Sequence, residues 1–229
     1  MDDGKHPVLI LTHNALELTN RALSSIFGQD IPVHVFVVDN NSTDGTVPYL
    51  EELGCQVFAA KWDMGVSRAW NYGLGYFFQQ GEDHVLVVNN DVILRPETYS
   101  ELILDGGLFV TGVGVNESEQ FTANFIKTIR PNPDFSCFLM KREAWEKVGM
   151  FDESMILYAS DCDYHVRMHK EGIEAYTIGM PFFHTASGTI KRNPEEAGRI
   201  IEQANRDRIA FYEKWGVGIG TPEYYELFK

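Results

Sequence analysis

Three apolar runs of this sequence break off into polar clusters: Thr12-His13-Asn14, Asp39-Asn40-Asn41 and Asn89-Asn90-Asp91. Asn and Asp suit turns, because their side chains satisfy nearby backbone groups. They also suit ligands: a carboxylate accepts hydrogen bonds or binds a hard cation. Ser42 and Asp44 fit the turn reading better than Asp39, since they lead straight into a helix-like stretch at Thr46. A further cluster, "SDCDYHVRMH", carries Asp161, Asp163, His165 and His169. Asp161, His165 and His169 recur every four residues and would share one helix face. A HxxxH pair needs a third ligand and a closed shell to hold zinc, so the preferred reading has Asp161 at the helix start, facing a cleft. Asp163 can pair with Arg167 one turn on. Trp62, Trp70, Trp145 and Tyr158 offer aromatic faces that could stack on a ligand, and Trp145 is the favoured one.

The elements that must position these residues follow from periodicity. Strand-like runs at Pro7–His13, Val33–Asn40, Gln56–Ala60 and His84–Asp91 alternate with helical patterns, among them "GVSRAWNYGLGYFFQQG". Alternation of this kind predicts a mixed, mostly parallel α/β sheet flanked by helices. Ligands in such sheets bind outside the carboxyl ends of the strands, where all three polar clusters fall. The second half reads as strands at 107–116, 120–129, 135–140 and 173–179, with helices at 141–149 and 160–172, a loop at 184–194 and a long terminal helix from Pro194. Proline suits a first helical turn. Gly65 opens the third helix, whose N-terminus would offer free N–H groups to phosphate. Arg68 would add charge there, while Gly65, Ala69 and Gly73 let the helix approach the sheet. No GxGxxG follows the first strand and no GxxxxGK[ST] is present, which disfavours dinucleotide and P-loop readings.

At 229 residues and 44% hydrophobic, the chain can bury a core in one large domain with a tail. A formal charge of -14 argues against nucleic acid and anionic membrane surfaces. No apolar run of about 18 residues spans a membrane. The acidic start lacks a signal-peptide pattern. The three cysteines have no CxxC spacing and read as reduced thiols. The expectation is therefore a soluble, cytoplasmic protein.

"VLILTHN", "VVDNNSTDGT", "DMGVSRAWNYG", "VVNNDV", "FLMKREAWEKVGMFDESM" followed by "SDCDYHVR", and "FYEKWG" occur in this order. The ordered set resembles inverting glycosyltransferases of the GT-A fold, family 2-like, over about residues 7 to 190. In this sequence Asp63 replaces the first Asn of the glycine motif, Asn89-x-Asp91 replaces Asp-x-Asp, and Ser160 stands where an acid precedes the catalytic Asp.

The resemblance implies a nucleotide-sugar donor (UDP-, GDP- or dTDP-linked) and a glycan or other hydroxyl acceptor. It implies that Asp39 contacts the nucleobase, with Thr12, His13, Asn14, Asn41, Asp63, Gly65, Arg68 and Asn90 around the donor. Asp91 would bind Mn²⁺ or Mg²⁺, joined by His184 as a late histidine, and an imidazole would favour Mn²⁺. Asp161 would be the general base. The expected organisation is a GT-A domain over 1–190, with donor half 1–95 and acceptor half 96–190, then a helical extension over 191–229. The alternatives are a nucleotidyltransferase, whose Gly-rich basic loop "LTHNALELTN" lacks, and a catalytically silent nucleotide- or sugar-binding domain.

Overall fold

The apolar run of β1 (His6–Thr12) is buried on both sides because helices cover both faces of the sheet. In this computed structural model, which describes residues 4–124, 126–130, 132–184 and 194–229 (194–196 as backbone), Leu9 and Leu11 face one core, and Val8 and Ile10 the other. On the first face lies α3 (Gly65–Gln79), with α6 (Arg142–Val148) and α7 (Ser160–Lys170). On the second lie α1 (Leu16–Phe27), α2 (Thr46–Glu52) and α4 (Thr98–Asp105). Each fully buried aliphatic side chain contributes about 1.5–3 kcal/mol, so Leu9, Ile10, Val37 and Val87 fix which way each strand faces.

The sheet has eight strands in the order β3-β2-β1-β4-β7-β6-β8-β5. β2 (Val33–Asp39), β3 (Gln56–Ala59) and β4 (His84–Asn89) run parallel with β1. β7 (Cys137–Lys141) pairs antiparallel with β4 and with β6 (Phe109–Val115). β8 (Ala175–His184) runs parallel to β6, and the two-residue β5 (Val92–Ile93) pairs antiparallel with β8. Thr12 lies opposite Asp39, and Leu11 opposite Asn89. This register brings the three polar strand ends side by side, as the sequence predicts for a mostly parallel sheet. α3 lies close on the sheet because position 73 is glycine: a Cβ there would collide with Leu9.

The second half departs from the expected pattern in several places. Residues 120–129, read as a strand, instead begin within the short helix α5 (Ser118–Thr122). The carbonyls of Phe121 and Ala123 accept from Arg95, and Ile126 and Ile129 are exposed; the stretch meets the sheet at Thr128, whose N–H donates to the Ile178 carbonyl at 3.0 Å. β8 extends five residues beyond the strand predicted at 173–179, to His184. Of the loop predicted at 184–194, residues 185–193 lie outside the described residues. α4, β5 and the terminal helix α9 (Pro222–Glu226) were not anticipated. The long helix α8 (Pro194–Trp215) begins at Pro194 as expected, and with α9 shares a third core with α7 through Met155, Val166, Phe211 and Tyr224. Among the described residues no helix is long and apolar enough to cross a membrane.

Candidate functional site

A cleft of about 1270 Å³ opens over the carboxyl ends of β1, β2 and β4. Thr12, His13, Asn14, Asn41, Asp63, Asn90, Asp91, Asp161 and His184 all line it. Asp39 lies just beneath, 1% exposed. Its Oδ1 accepts from the Ser42 N–H at 2.9 Å, while Oδ2 is buried without a partner. A buried acceptor left unpaired costs about 1–3 kcal/mol, and a donor N–H from a ligand would remove that cost.

His13 and Asn14 build the loop beside it. His13 Nδ1 lies 2.6 Å from the Asn40 carbonyl, and Asn14 Nδ2 lies 3.1 Å from His13 Nε2. The carbonyl can only accept, so Nδ1 carries the proton and Nε2 accepts from Asn14. Asn14 Oδ1 in turn accepts from the Thr43 backbone at 2.7 Å. Asn14 and Asn41 both have positive φ, 45° and 65°, a conformation Asn tolerates better than most residues. Asp44 has the capping role the sequence suggested, accepting from Leu16 N at the start of α1 and from Thr46 at the start of α2. Asn90 Nδ2 reaches the hydroxyls of Thr12 and Thr19, each at 3.3 Å.

Asp91 and His184 meet across the edge of the sheet. Val92 pairs with His184 in the β5–β8 ladder, so Asp91, one residue earlier, stands within reach. Its Oδ1 is 3.3 Å from His184 Nε2. The Asp91 carboxylate raises the pKa of His184, against the opposing effect of burial. The donor set of one carboxylate and one imidazole suits a divalent cation of the Mn²⁺ type. Among the described residues no group of three His, Cys, Asp or Glu is placed to hold a metal. Asp91 and His184 are thus a pair of potential ligands brought together at one edge of the cleft.

The N-terminus of α3, expected to receive phosphate, is filled by the protein itself. Asp63 Oδ1 accepts from Gly65 N at 2.9 Å, and the Ile156 carbonyl accepts from Val66 N and Ser67 N at 2.8 and 3.3 Å. Gly65 has φ +73°, and a Cβ there would strike Ile156. Gly65 is thus a packing residue, and its amide is already bound. Arg68 is turned away from the cleft, where its Nε donates to Glu153 at 3.0 Å. Helical periodicity placed Arg68 on a helix without saying which side faces the ligand.

Asp161 stands at the start of α7, half-buried in the wall of the cleft. Burial raises its pKa, opposed by the Cys162 N–H that donates to Oδ1 at 2.8 Å. Dehydration thus raises its pKa against the helix-terminus effect, which acts to lower it. Asp163 is fully buried and faces the other way. It accepts from Arg167 Nε at 2.8 Å and Trp215 Nε1 at 2.9 Å, with Lys214 Nζ at 2.8 Å. Asp163 therefore ties α7 to the end of α8. His165 and His169 lie against Phe228, and burial lowers His165 to about 4. Trp145 packs on Phe78 and does not line the cleft, whereas Trp70 and Tyr158 do.

Asp134 was not anticipated. It lines the cleft with its oxygens accepting from Ser136 N and Gly114 N at 2.9 and 3.1 Å, and its charge helps raise the pKa of both Asp161 and His184. Asp134 N donates to the Thr111 hydroxyl of β6 at 3.0 Å, a contact twenty-three positions away that local pattern does not reveal. Arg199 and Gln203 of α8 also line the wall.

This sheet, with its strand-end cleft, defines the class: the chain has the GT-A fold of glycosyltransferases. Residues 8–107 match the family model described as glycosyl transferase family 2. TarS of S. aureus superposes with a TM-score of 0.60 at 20% identity, covering 80% of this chain and 37% of that one. The mannosyltransferase PcManGT from Pyrobaculum calidifontis, solved with GDP-Man and Mn²⁺, gives 0.64 at 17% identity, covering 98% and 68%. Glucosyl-3-phosphoglycerate synthase from Mycobacterium tuberculosis, solved with Mn²⁺, UDP and glucosyl-3-phosphoglycerate, gives 0.59 at 15% identity, covering 95% and 82%. The chain thus spans little more than a third of the length of TarS. No curated protein matches the sequence.

Proposed function

We propose that this protein is an inverting glycosyltransferase that takes a nucleotide diphosphate sugar as donor and a hydroxyl as acceptor. The observation that carries this reading is the convergence in one cleft of three differently suited groups. Asp39 offers an unpaired buried acceptor, Asp91 and His184 a cation-binding pair, and Asp161 a carboxylate with a raised pKa. Asp39 Oδ2 would accept from a ring N–H of the base. Asp91 and His184 would hold Mn²⁺ or Mg²⁺, which neutralises charge on a departing diphosphate. Asp161 would take the acceptor hydroxyl's proton as its oxygen bonds to the anomeric carbon. The bond from that carbon to the diphosphate breaks on the opposite face, its electron pair leaving on the phosphate oxygen.

The screen that tests this reading is thermal: UDP-, GDP- and dTDP-sugars, each with and without Mn²⁺. A ligand binding only the folded state raises Tm, and at least one donor is expected to do so in a metal-dependent way. No shift with any donor counts against the reading. The two-ligand metal site favours one competing reading, a silent nucleotide-binding domain. Release of free nucleoside diphosphate in the presence of acceptors separates the two.

Asp39→Ala is expected to weaken binding of the free nucleoside diphosphate in the absence of metal. A hydrogen bond to a charged group is worth about 1.5–3 kcal/mol, or roughly tenfold or more in Kd. Equal affinity in titration calorimetry, with the fold intact by circular dichroism, would remove Asp39 from the base site.

A further inference from the structure

We propose that Asp207, on α8, is a positioning residue: its carboxylate fixes the loop 156–158 and through it Asp161. The role rests on the reading of Asp161 as the base. Asp207 is fully buried and does not line the cleft. Its Oδ1 accepts from Ile156 N at 3.0 Å, and its Oδ2 from Leu157 N and Tyr158 N, both at 2.8 Å. Gln203 Nε2 adds a fourth donor at 2.7 Å. Three consecutive amides turned onto one anion form a nest, and such charge-assisted bonds are stronger than neutral ones.

The same loop is held on its other side by α3. The Ile156 carbonyl accepts from Val66 N and Ser67 N, and the Met155 carbonyl from the Ser67 hydroxyl. Between this clamp and Asp161 stands Ala159, with φ 64° and ψ −17°. A left-handed residue other than glycine persists only where its surroundings over-determine it. Ala159 immediately precedes Ser160 and Asp161, and its carbonyl accepts from Asp163 N at 2.9 Å to begin α7. Ile156, Leu157, Tyr158, Ser160 and Asp161 all line the cleft. A helix far along the chain thus sets the wall that carries the carboxylate.

The test is Asp207→Asn, which keeps the shape of the side chain but removes its charge and one acceptor oxygen. The expected result is faster hydrogen exchange at the 156–158 amides, with the strands unchanged. With it comes a fall in kcat of ~10- to 10²-fold, the size of effect that slight misplacement of a reacting group produces. The donor KM should stay within about twofold, because donor binding is not what the loop controls. If the variant folds too poorly to assay, Ala159→Gly in the same chain relieves the left-handed strain and restores stability. The kcat of the double variant should then remain below that of Ala159→Gly alone.

Equal kcat in those two chains overturns the proposal, as does Asp207→Asn with wild-type kcat. Exchange that rises across the whole sheet, with kcat and KM changed together, overturns it too and leaves Asp207 as a docking contact. Wild-type turnover is measured first. Its absence from every donor and acceptor pair removes the enzyme reading itself, a result distinct from an active wild type whose variant is unimpaired.

Discussion

Asp161→Asn is expected to lose ~10²–10⁴-fold in kcat while keeping its affinity for the donor, the range a positioned general base supplies. The hydroxyl of an acceptor is a poor nucleophile until its proton is being removed. Asp161 stands in the cleft wall, with burial raising its pKa. A raised value makes a better base, and it moves the acid limb of the pH–rate profile upward. It also has a stability consequence. The fold favours protonated Asp161, so this contribution is full below the unfolded pKa and is lost as pH rises through the raised folded value. At neutral pH, Asp161→Asn should therefore be no less stable than wild type. Asp163→Asn makes the opposite pairing: turnover should persist, and Tm should fall. Breaking a buried ion pair costs about 3–5 kcal/mol. That is an upper figure here, since the partner Lys214 keeps Asp152 at 2.6 Å and is 32% exposed. A stably folded but inactive Asp163→Asn beside an active Asp161→Asn would reverse the two roles.

Asp91→Asn is expected to remove transfer and the Mn²⁺-dependent part of donor binding together. A bound cation supplies several kcal/mol of charge stabilisation, and its loss corresponds to roughly 10³-fold or more in rate. His184→Ala should do the same to a smaller extent. The pH dependence follows from the pair. Asp91 raises the pKa of His184 by hydrogen bonding and charge, so its stabilisation is full below the unfolded histidine value of about 6.5 and is lost as pH rises through the folded value. A metal must displace that proton, so Mn²⁺ affinity should climb over the same interval, with proton release on binding. In Asp91→Asn both effects should vanish. Unchanged metal dependence by calorimetry would leave Asp91 as a turn residue.

The places of Asp39, Asp91 and Asp161 at one cleft could be read from the sequence because each interrupts a strong local pattern, an apolar strand or a helix start. The strand-end rule then gathered the first two without any knowledge of register. Arg68 and Gly65 were misplaced for a complementary reason. Local pattern establishes a helix, but the occupant of its N-terminus, Ile156, arrives from ninety-one positions away. Asp207 was missed likewise: in sequence it is one of many acids on an amphipathic helix, and its three amide partners lie 49 to 51 positions earlier. The error at 120–129 has yet another origin. Alternating apolar residues signal a strand only where a sheet face buries them; here Ile126 and Ile129 stay exposed, and the chain meets β8 through Thr128 N and an isolated bridge from Arg130 to Thr177.

The β6–β8 ladder shifts register near Gly179: Thr111 faces Thr177, yet Val113 faces Pro181, so β8 carries two surplus residues over that interval. Gly179 has φ +79° beside Thr128, which lets the strand accommodate them. Because the surplus is even, side chains beyond it keep the face they had before it, and His184 arrives opposite Val92. Removing one residue there would exchange the two faces of the strand's end, and removing two would leave His184 roughly 6–7 Å short. The Asp91–His184 pair therefore depends on chain length as strictly as on residue identity. Among homologues, insertions and deletions in this short interval would track loss of the pair even where both residues are retained.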